Sequence, residues 1–211
     1  GHEWFANNIT NIDVADMWIH EGFTTYSENL YLDYHFGKQA SEEYVIGTRL
    51  RISNDIPIIG PYGVNQRGSN DMYYKGANIL HTLRQLAGDD EKWRKVLRGL
   101  NKEFYHQTVN TSQVENYISK SLGMNLTSFF DQYLRDNKVP ILEYFVKDEI
   151  LSARWTNCVP AFEMPIIVSI NDTEQWIEPN TKWKQMEAKE PVRSVKLDPN
   201  FYVASMNVLG D

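Results

Sequence analysis

The sequence predicts an α+β fold, in which a mostly helical region, residues 1–138, precedes a small β-sandwich-like domain, residues 139–211. Three observations lead to this prediction. The first region contains amphipathic segments of helical length, bounded by cap and stop residues. After Lys138 the chain changes to short segments rich in β-branched and aromatic residues. A length of 211 residues is enough to bury a core in one large domain or two small ones.

The helical region begins with its longest predicted helix, DMWIHEGFTTYSENLYLDYHFG, which starts near Asp16 and stops at Gly37. A second helix is expected to begin at Ser41, a cap residue that Glu42 and Glu43 follow. The segment IPIIGPYGVNQRGSND carries two Pro and three Gly and is therefore predicted to be a loop. Four further helical segments follow, joined by tight turns: DMYYKGANILHTLRQLAG, DEKWRKVLRGLNKEFYH, TSQVENYISKSLG and LTSFFDQYLRD.

The second region reads as a small antiparallel β unit, with its boundary near Asn137–Pro140. Asn, Asp, Pro and Thr separate its short segments, as expected of turns between strands. The predicted strand segments are ILEYFVKDEILSARW, MPIIVSI, QWIEP, VRSVKLD and FYVASMNV.

Composition excludes several classes of partner. The chain has 21 Lys and Arg against 28 Asp and Glu, a net charge of −7, which argues against nucleic acids and anionic membranes. No apolar run approaches the roughly 20 residues of a membrane span, so we predict no membrane segment. The single cysteine, Cys158, excludes an internal disulfide and a Cys-rich zinc site. The compartment stays open between cytoplasm and periplasm.

The first 23 residues, GHEWFANNITNIDVADMWIHEGF, carry the chemistry. The His2–Glu3 pair could open a zinc-binding HExxH helix, but the second histidine would then occupy position 6, which is Ala6. His2 can instead be the second histidine of the motif. Histidines four residues apart share one helix face and can hold one zinc ion, and a third ligand comes from a second helix. Glu21 stands nineteen positions after His2, on the predicted long helix.

This spacing and three sequence words resemble the gluzincin zinc aminopeptidases, the family that includes the aminopeptidase N and leukotriene hydrolase branches. HEWFANNIT resembles the family's His-Gln/Glu-Trp-Phe-Gly-Asn-x-Val-Thr, and DMWIHEGFTTYSE resembles Asp-Leu-Trp-Leu-Asn-Glu-Gly-Phe-Ala-x-Tyr-x-Glu. MYYKGANIL resembles the downstream Tyr-x-Lys-Gly-Ala-x-x-Leu. The resemblance implies a fragment that starts inside the HExxH helix. Its helical region would then be the C-terminal half of a thermolysin-like catalytic domain.

The resemblance also implies roles for individual residues. His2 and Glu21 occupy zinc-ligand positions for one Zn²⁺ ion. Tyr73 occupies the position of a tyrosine that donates a hydrogen bond to the oxyanion formed during catalysis. The functional interpretation of Glu28, two turns after Glu21, is a group that orients a ligand histidine, and the alternative is a solvated charge.

Three other positions in these words have structural interpretations. Asp16 is interpreted first as a helix cap and only secondarily as a group that orients a zinc ligand. His20 stands where the family usually has Asn, and we expect it to pack rather than to bind metal. Gly76 is expected to permit close helix packing.

The implied function is that of part of a zinc-dependent aminopeptidase that removes N-terminal residues from a peptide substrate by means of zinc-activated water. The first zinc histidine, the catalytic glutamate and the loop that grips the substrate amine would precede Gly1. We therefore expect the chain alone to be inactive or nearly so and to bind zinc weakly or not at all. Truncation would expose apolar surface around Trp4, Phe5 and Trp18, so self-association is expected.

Two alternatives remain. The chain can be a non-catalytic helical plus β binding module with a vestigial zinc site, although the presence of His2, Glu21, Glu28 and Tyr73 argues against loss of function. It can also belong to a zinc hydrolase of epoxide lipids, as in the leukotriene branch. An intact His-Glu-x-Gly directly upstream in the full-length gene would exclude the vestigial interpretation. The residue preference at the scissile bond, the full domain count and the oligomeric state stay open.

Overall fold

The computed structural model describes residues 1–209. The chain divides into two compact units, one from Gly1 to Asn137 and one from Lys138 onward. Helices dominate the first unit and strands the second, which agrees with the predicted α+β class. Within residues 1–209, no helix combines the length and the apolar character that crossing a bilayer requires.

The first unit is built around α1, whose sequence prediction was close to the observed helix. It runs from Trp18 to Phe36 and ends at Gly37, where a φ of +90° takes the chain out of the helix. The α-helices of the described residues are α1 (Trp18–Phe36), α2 (Lys38–Gly47), α3 (Tyr74–Ala87), α4 (Asp90–Glu103), α5 (Thr111–Leu122) and α6 (Thr127–Phe130). The Pro- and Gly-rich segment between residues 52 and 69 forms no helix or strand, as predicted.

Two predicted cap positions are wrong. Asp16 does not cap α1, because Asp13 caps a short 3-10 turn, Val14–Asp16, that comes first, and Met17 then leads into the helix. Ser41 does not begin α2, because the helix already starts at Lys38. The Ser41 hydroxyl is buried and donates instead to the Asn29 carbonyl at 2.9 Å, so it joins α2 to α1.

Helices α1 and α3 approach each other closely through two glycines. A Cβ atom placed on Gly76 would lie 2.9 Å from the Cα of Gly22, and one placed on Gly22 would lie 3.2 Å from the carbonyl oxygen of Met72. No side chain fits between the two backbones, which confirms the packing role predicted for Gly76. The contact also brings the residues that neighbour Gly22 and Met72 in sequence, Glu21 and Tyr73, to the same helix crossing.

Two tryptophans with hydrogen-bonded indoles fix the aromatic core of the first unit. Trp18 and Trp93 are almost completely buried. The Trp18 indole donates to the Thr111 hydroxyl at 2.8 Å, and the Trp93 indole donates to the Tyr26 hydroxyl at 3.0 Å. Because each N–H has a partner, the large rings are buried without an unsatisfied donor. These bonds link α1 with α4 and α5.

A short parallel strand pair in the first unit escaped the sequence prediction. Strand β1 (Ile9–Asn11) pairs in parallel with β2 (Gln107–Val109), with Ile9 opposite Gln107. Three residues are too few to show the alternation that identifies a strand. The pair anchors the segment between His2 and α1 to the loop between α4 and α5.

The second unit contains two small sheets. Its strands are β3 (Ile141–Lys147), β4 (Ile150–Thr156), β5 (Ile166–Ile170), β6 (Thr173–Ile177), β7 (Lys184–Gln185), β8 (Val195–Leu197) and β9 (Ala204–Asn207). The strand orders are β7-β4-β3-β9 and β6-β5-β8. The described strand pairs are antiparallel except for β3 with β9, which is parallel. Fully buried side chains of this unit include Leu142, Trp155, Phe162, Ile166 and Val168.

Candidate active site

The two predicted zinc-ligand side chains lie together. His2 precedes a π-helical turn, Glu3–Asn8, and Glu21 lies in the first turn of α1. The Nε2 atom of His2 is 3.2 Å from the Oε2 atom of Glu21. The His2 side chain is 57% exposed and that of Glu21 18%. The pair therefore lies at the surface of the unit, with the carboxylate the more sheltered partner.

The donor atoms of this pair fit a zinc ion. Two ligands bound about 2.0–2.1 Å from a tetrahedral ion are separated by about 3.3–3.4 Å. The observed 3.2 Å between Nε2 and Oε2 is close to that separation. Within the described residues, no three His, Cys, Asp or Glu side chains form a cluster that could hold a metal ion. A catalytic zinc site built on His2 and Glu21 therefore needs a further ligand from outside residues 1–209.

His20 binds backbone rather than extending this pair. Its Nε2 atom accepts a hydrogen bond from the backbone N–H of Asn11 at 2.9 Å. Burial lowers the pKa of His20, and the nearby Glu21 carboxylate opposes this while His2 adds to it. The ring thus ties β1 to α1 between the two candidate ligands, in line with the expected packing role. The sequence did not indicate this side chain–backbone bond.

Glu28 lies two turns beyond Glu21 and is exposed. Its Oε2 atom accepts a short hydrogen bond from the Tyr44 hydroxyl of α2. This bond, with burial and the charge of Glu28, raises the pKa of Tyr44 to about 12. A role for Glu28 in orienting a ligand histidine stays a prediction. The carboxylate borders a groove of about 440 Å³ lined by Gly1, Thr24, Ser27, Glu28, Tyr31, Leu32 and Tyr44.

Asp16 is completely buried and holds distant segments together. Its Oδ1 atom accepts from the Thr111 N–H at 3.0 Å, the Thr111 hydroxyl at 2.5 Å and the Tyr62 hydroxyl at 2.7 Å. Its Oδ2 atom has no hydrogen-bond partner within residues 1–209. Burial and the bond to Asp16 raise the pKa of Tyr62 to about 12. The hydrogen bonds of Asp16 therefore go to Thr111 and Tyr62 and not to a candidate zinc ligand. A role of Asp16 in orienting a zinc ligand stays a prediction.

Tyr73 joins a 3-10 turn, Asn70–Met72, to α3. Its backbone N–H donates to the Asn70 carbonyl at 3.3 Å, and its carbonyl accepts from the N–H of Ala77 at 2.9 Å. The residue is half-buried, whereas Met72 is completely buried. Tyr73 thus stands at the helix crossing that also positions Glu21, with its backbone held on both sides.

The apolar surface near the start of the chain is smaller than expected. Trp4 is 60% exposed, but Phe5 is only 8% exposed and Trp18 is buried. Phe5 stacks on Phe23 with ring centroids 4.8 Å apart, so of these three residues Trp4 contributes most to the exposed apolar surface. Self-association through this surface stays a prediction. Trp4 borders an apolar groove of about 380 Å³ lined by Trp4, Phe5, Phe23, Tyr26, Ser27, Leu30, Leu97, Arg98 and Asn101.

The sequence is similar to that of known peptidases. Residues 1–133 match the model of the peptidase family M1 domain. A probable aminopeptidase 1 of Sulfurisphaera tokodaii is 24% identical over 217 residues, which cover 94% of this chain and 28% of that protein. Aminopeptidase N of Lactococcus lactis is 24% identical over 166 residues, which cover 71% of this chain and 19% of that protein. The chain therefore spans less than a third of the length of these relatives.

A solved structure shows the same fold. The crystal structure of Legionella pneumophila aminopeptidase A, in complex with aspartic acid, matches with a TM-score of 0.73. The match covers 97% of this chain and 26% of that one, at 16% sequence identity. At this identity the likeness concerns the fold alone.

Proposed function

Because the chain belongs to peptidase family M1, we propose that it supplies part of the active site of a zinc-dependent aminopeptidase. The substrate would be a peptide with a free N-terminus, from which single residues are hydrolysed. The observation that carries the proposal is the His2–Glu21 pair, whose Nε2 and Oε2 atoms are 3.2 Å apart. The curated relatives that are named aminopeptidases support the same reaction class.

His2 and Glu21 would hold the zinc ion, with a third ligand from a residue that precedes Gly1. When bound, zinc supplies a water molecule of lowered pKa, near 7, and polarises the substrate carbonyl. Glu21 is the more buried of the two side chains, so it would provide a ligand shielded from competing solvent. Glu28, on the same side of α1, would orient a ligand histidine through a hydrogen bond.

Tyr73 would act on the substrate. Its hydroxyl would donate a hydrogen bond to the carbonyl oxygen as negative charge develops there. The close approach of Gly22 to Met72 fixes the spacing between the backbone of Glu21 and that of Tyr73. A donor held in advance costs no reorganisation at the moment of reaction.

The chain alone would hydrolyse peptides poorly or not at all. In the proposed site the general base and the first histidine both lie upstream of Gly1. Two protein ligands also hold zinc less well than three. A longer polypeptide that includes the whole HExxH helix would be the active form.

Zinc stoichiometry by elemental analysis tests the proposal. The chain as given is compared with a chain extended upstream through the whole HExxH helix and the loop that grips the substrate amine. We expect about one zinc per extended chain and little in the shorter one. Folding of both is checked by circular dichroism.

Three variants of the extended chain locate the ligands. His2→Ala and Glu21→Gln should each lower the zinc content, whereas Glu3→Gln should not. Glu3 is a matched control because it is an exposed carboxylate in the same segment, and it accepts a hydrogen bond from Asn7 at 3.3 Å. A folded extended chain that binds no zinc would overturn the proposal and favour the vestigial binding module.

A further inference from the structure

Lys75 is a buried cation to which the proposed mechanism gives no role. Lys75 lies in the first turn of α3, two residues after Tyr73, and its side chain is completely buried. Burial lowers the pKa of Lys75 to about 8, and the charges of Asp71, Asp136 and Asp55 act against this shift. Lysine is almost never fully buried unless it is paired. A cation at a helix N-terminus also opposes the helix dipole, so its placement needs a reason.

The carboxylates around Lys75 fix the loop that leads to Tyr73. Asp71 is buried, and its two oxygens accept from the backbone N–H groups of Ser53 at 2.8 Å and Asn54 at 2.6 Å. These bonds hold the start of the Pro- and Gly-rich segment against the N-terminal end of α3. Asp71, whose charge acts on Lys75, thus already organises the backbone of this loop.

A second set of bonds closes the same network. The Ser69 hydroxyl donates to Asp55 at 2.5 Å and also accepts from the N–H of Asp71, so it caps the turn that precedes Tyr73. The Nζ atom of Lys75 is 3.4 Å from the backbone carbonyl oxygen of Asp136, to which it donates. The network therefore joins three separate parts of the first unit.

Tyr73 lies between the two buried ends of this network. Asp71 lies in the 3-10 turn and Lys75 in the first turn of α3, and both side chains are buried. Tyr73 is two positions from each along the chain and is half-buried. A shift of Asp71 or Lys75 would therefore move the backbone of Tyr73 between them.

We propose that Lys75 is a positioning residue for Tyr73: it balances the charge of the buried Asp71, donates to the Asp136 carbonyl and so holds the turn that carries the tyrosine. Without the cation the buried Asp71 carboxylate would lose its balancing charge, and the turn would loosen. The inference rests on the proposed role of Tyr73 as the oxyanion donor.

A double-mutant cycle in the full-length protein tests this. Its variants are Lys75→Met, Tyr73→Phe and the combination of both, measured for kcat, KM, zinc content and Tm. Since a misplacement of about 1 Å can cost about 100-fold in rate, Lys75→Met should lower kcat about 10- to 100-fold with KM and zinc content unchanged. In the Tyr73→Phe background the same change should alter kcat by no more than about twofold.

Arg84→Met is the matched control. Arg84 is also a buried cation of α3, paired with Asp33 at 2.8 Å and with Asp90 at 2.7 Å, but outside the Lys75 network. Its replacement should lower Tm and leave kcat per folded, zinc-loaded molecule unchanged. With ¹³C-labelled tyrosine, the Tyr73 ring signal should move in Lys75→Met and stay in place in Arg84→Met.

The outcomes separate the two proposals. If Tyr73→Phe lowers kcat but the Lys75→Met effect is independent of it, the positioning role is wrong and the tyrosine role stands. If Tyr73→Phe leaves kcat unchanged, both fail. Should Lys75→Met not fold, Asp71→Asn takes its place in the cycle, with the same Tyr73-dependent loss expected, and an additive loss would overturn the inference.

Discussion

The contact between Gly22 and Gly76 gives a quantitative prediction about stability. In Gly76→Ala the new Cβ atom would lie 2.9 Å from the Cα of Gly22. Carbon atoms in contact are normally about 3.5–4.0 Å apart, so the shortfall is about 0.6–1.1 Å. The Cβ atom of alanine has no rotamer that moves it away, and its neighbour, the Cα of Gly22, is a backbone atom. The strain can therefore be relieved only if α1 and α3 separate.

The magnitude follows from two opposing effects. Overpacking of a close contact costs about 1–3 kcal/mol, and this rigid contact belongs at the upper end of that range. Alanine in a helix interior recovers about 1 kcal/mol relative to glycine. We therefore expect Gly76→Ala to lower the free energy of unfolding by about 1–2 kcal/mol.

Urea unfolding of the chain, followed by circular dichroism, measures this change. Gly47→Ala is the matched control, because Gly47 is helical and a Cβ there meets nothing within 4 Å. The control should gain up to about 1 kcal/mol from helix propensity alone. The midpoint of Gly76→Ala should fall with an unchanged denaturant slope. If both variants gain stability equally, α1 and α3 do not meet through glycine and the reasoning is refuted.

Three further predictions concern the site. In the full-length protein, Tyr73→Phe should lower kcat by about 10²–10³ without loss of zinc, because an oxyanion donor is removed; steady-state kinetics with an aminoacyl amide measures this. Asp16→Ala should lower the free energy of unfolding by about 2–4 kcal/mol in urea titrations, because buried donors of Thr111 lose their acceptor. For Lys75, whose pKa falls from 10.5 to about 8 on folding, the unfolded chain binds more protons between these values. The wild-type chain should therefore gain stability relative to Lys75→Met as pH rises from 8 to 10.5.

A specific experimental outcome would contradict each of these three predictions. Unchanged kcat in Tyr73→Phe would remove the tyrosine from the mechanism. Tyr62→Phe loses only one hydrogen bond to Asp16 and should cost about 1 kcal/mol, so an equal cost for Tyr62→Phe and Asp16→Ala would contradict the network. A stability difference between wild type and Lys75→Met that stays flat from pH 8 to 10.5 would show that Lys75 keeps its ordinary pKa in the folded chain.

The sequence alone determines where several helices end and how the residues of the motif are spaced. Gly37 and Gly88 end α1 and α3 as predicted, because a positive φ at these positions stops a helix wherever the rest of the chain lies. The interval from His2 to Glu21 and the word around Tyr73 are likewise readable along the chain. They resemble the gluzincin zinc aminopeptidases, and the match of residues 1–133 to the peptidase family M1 domain agrees.

Only the tertiary structure determines the hydrogen-bond partners of the buried polar side chains. Asp16 reads as a helix cap, yet its carboxylate binds Thr111, 95 positions away. Ser41 reads as a helix start, yet its hydroxyl bonds to α1. Lys75 meets the carbonyl of Asp136, 61 positions further on. A cap signal depends on a few neighbouring residues and can be read along the chain. A buried polar group, in contrast, needs a hydrogen-bond partner. That partner is the group that packing places beside it, which depends on the fold of the whole chain.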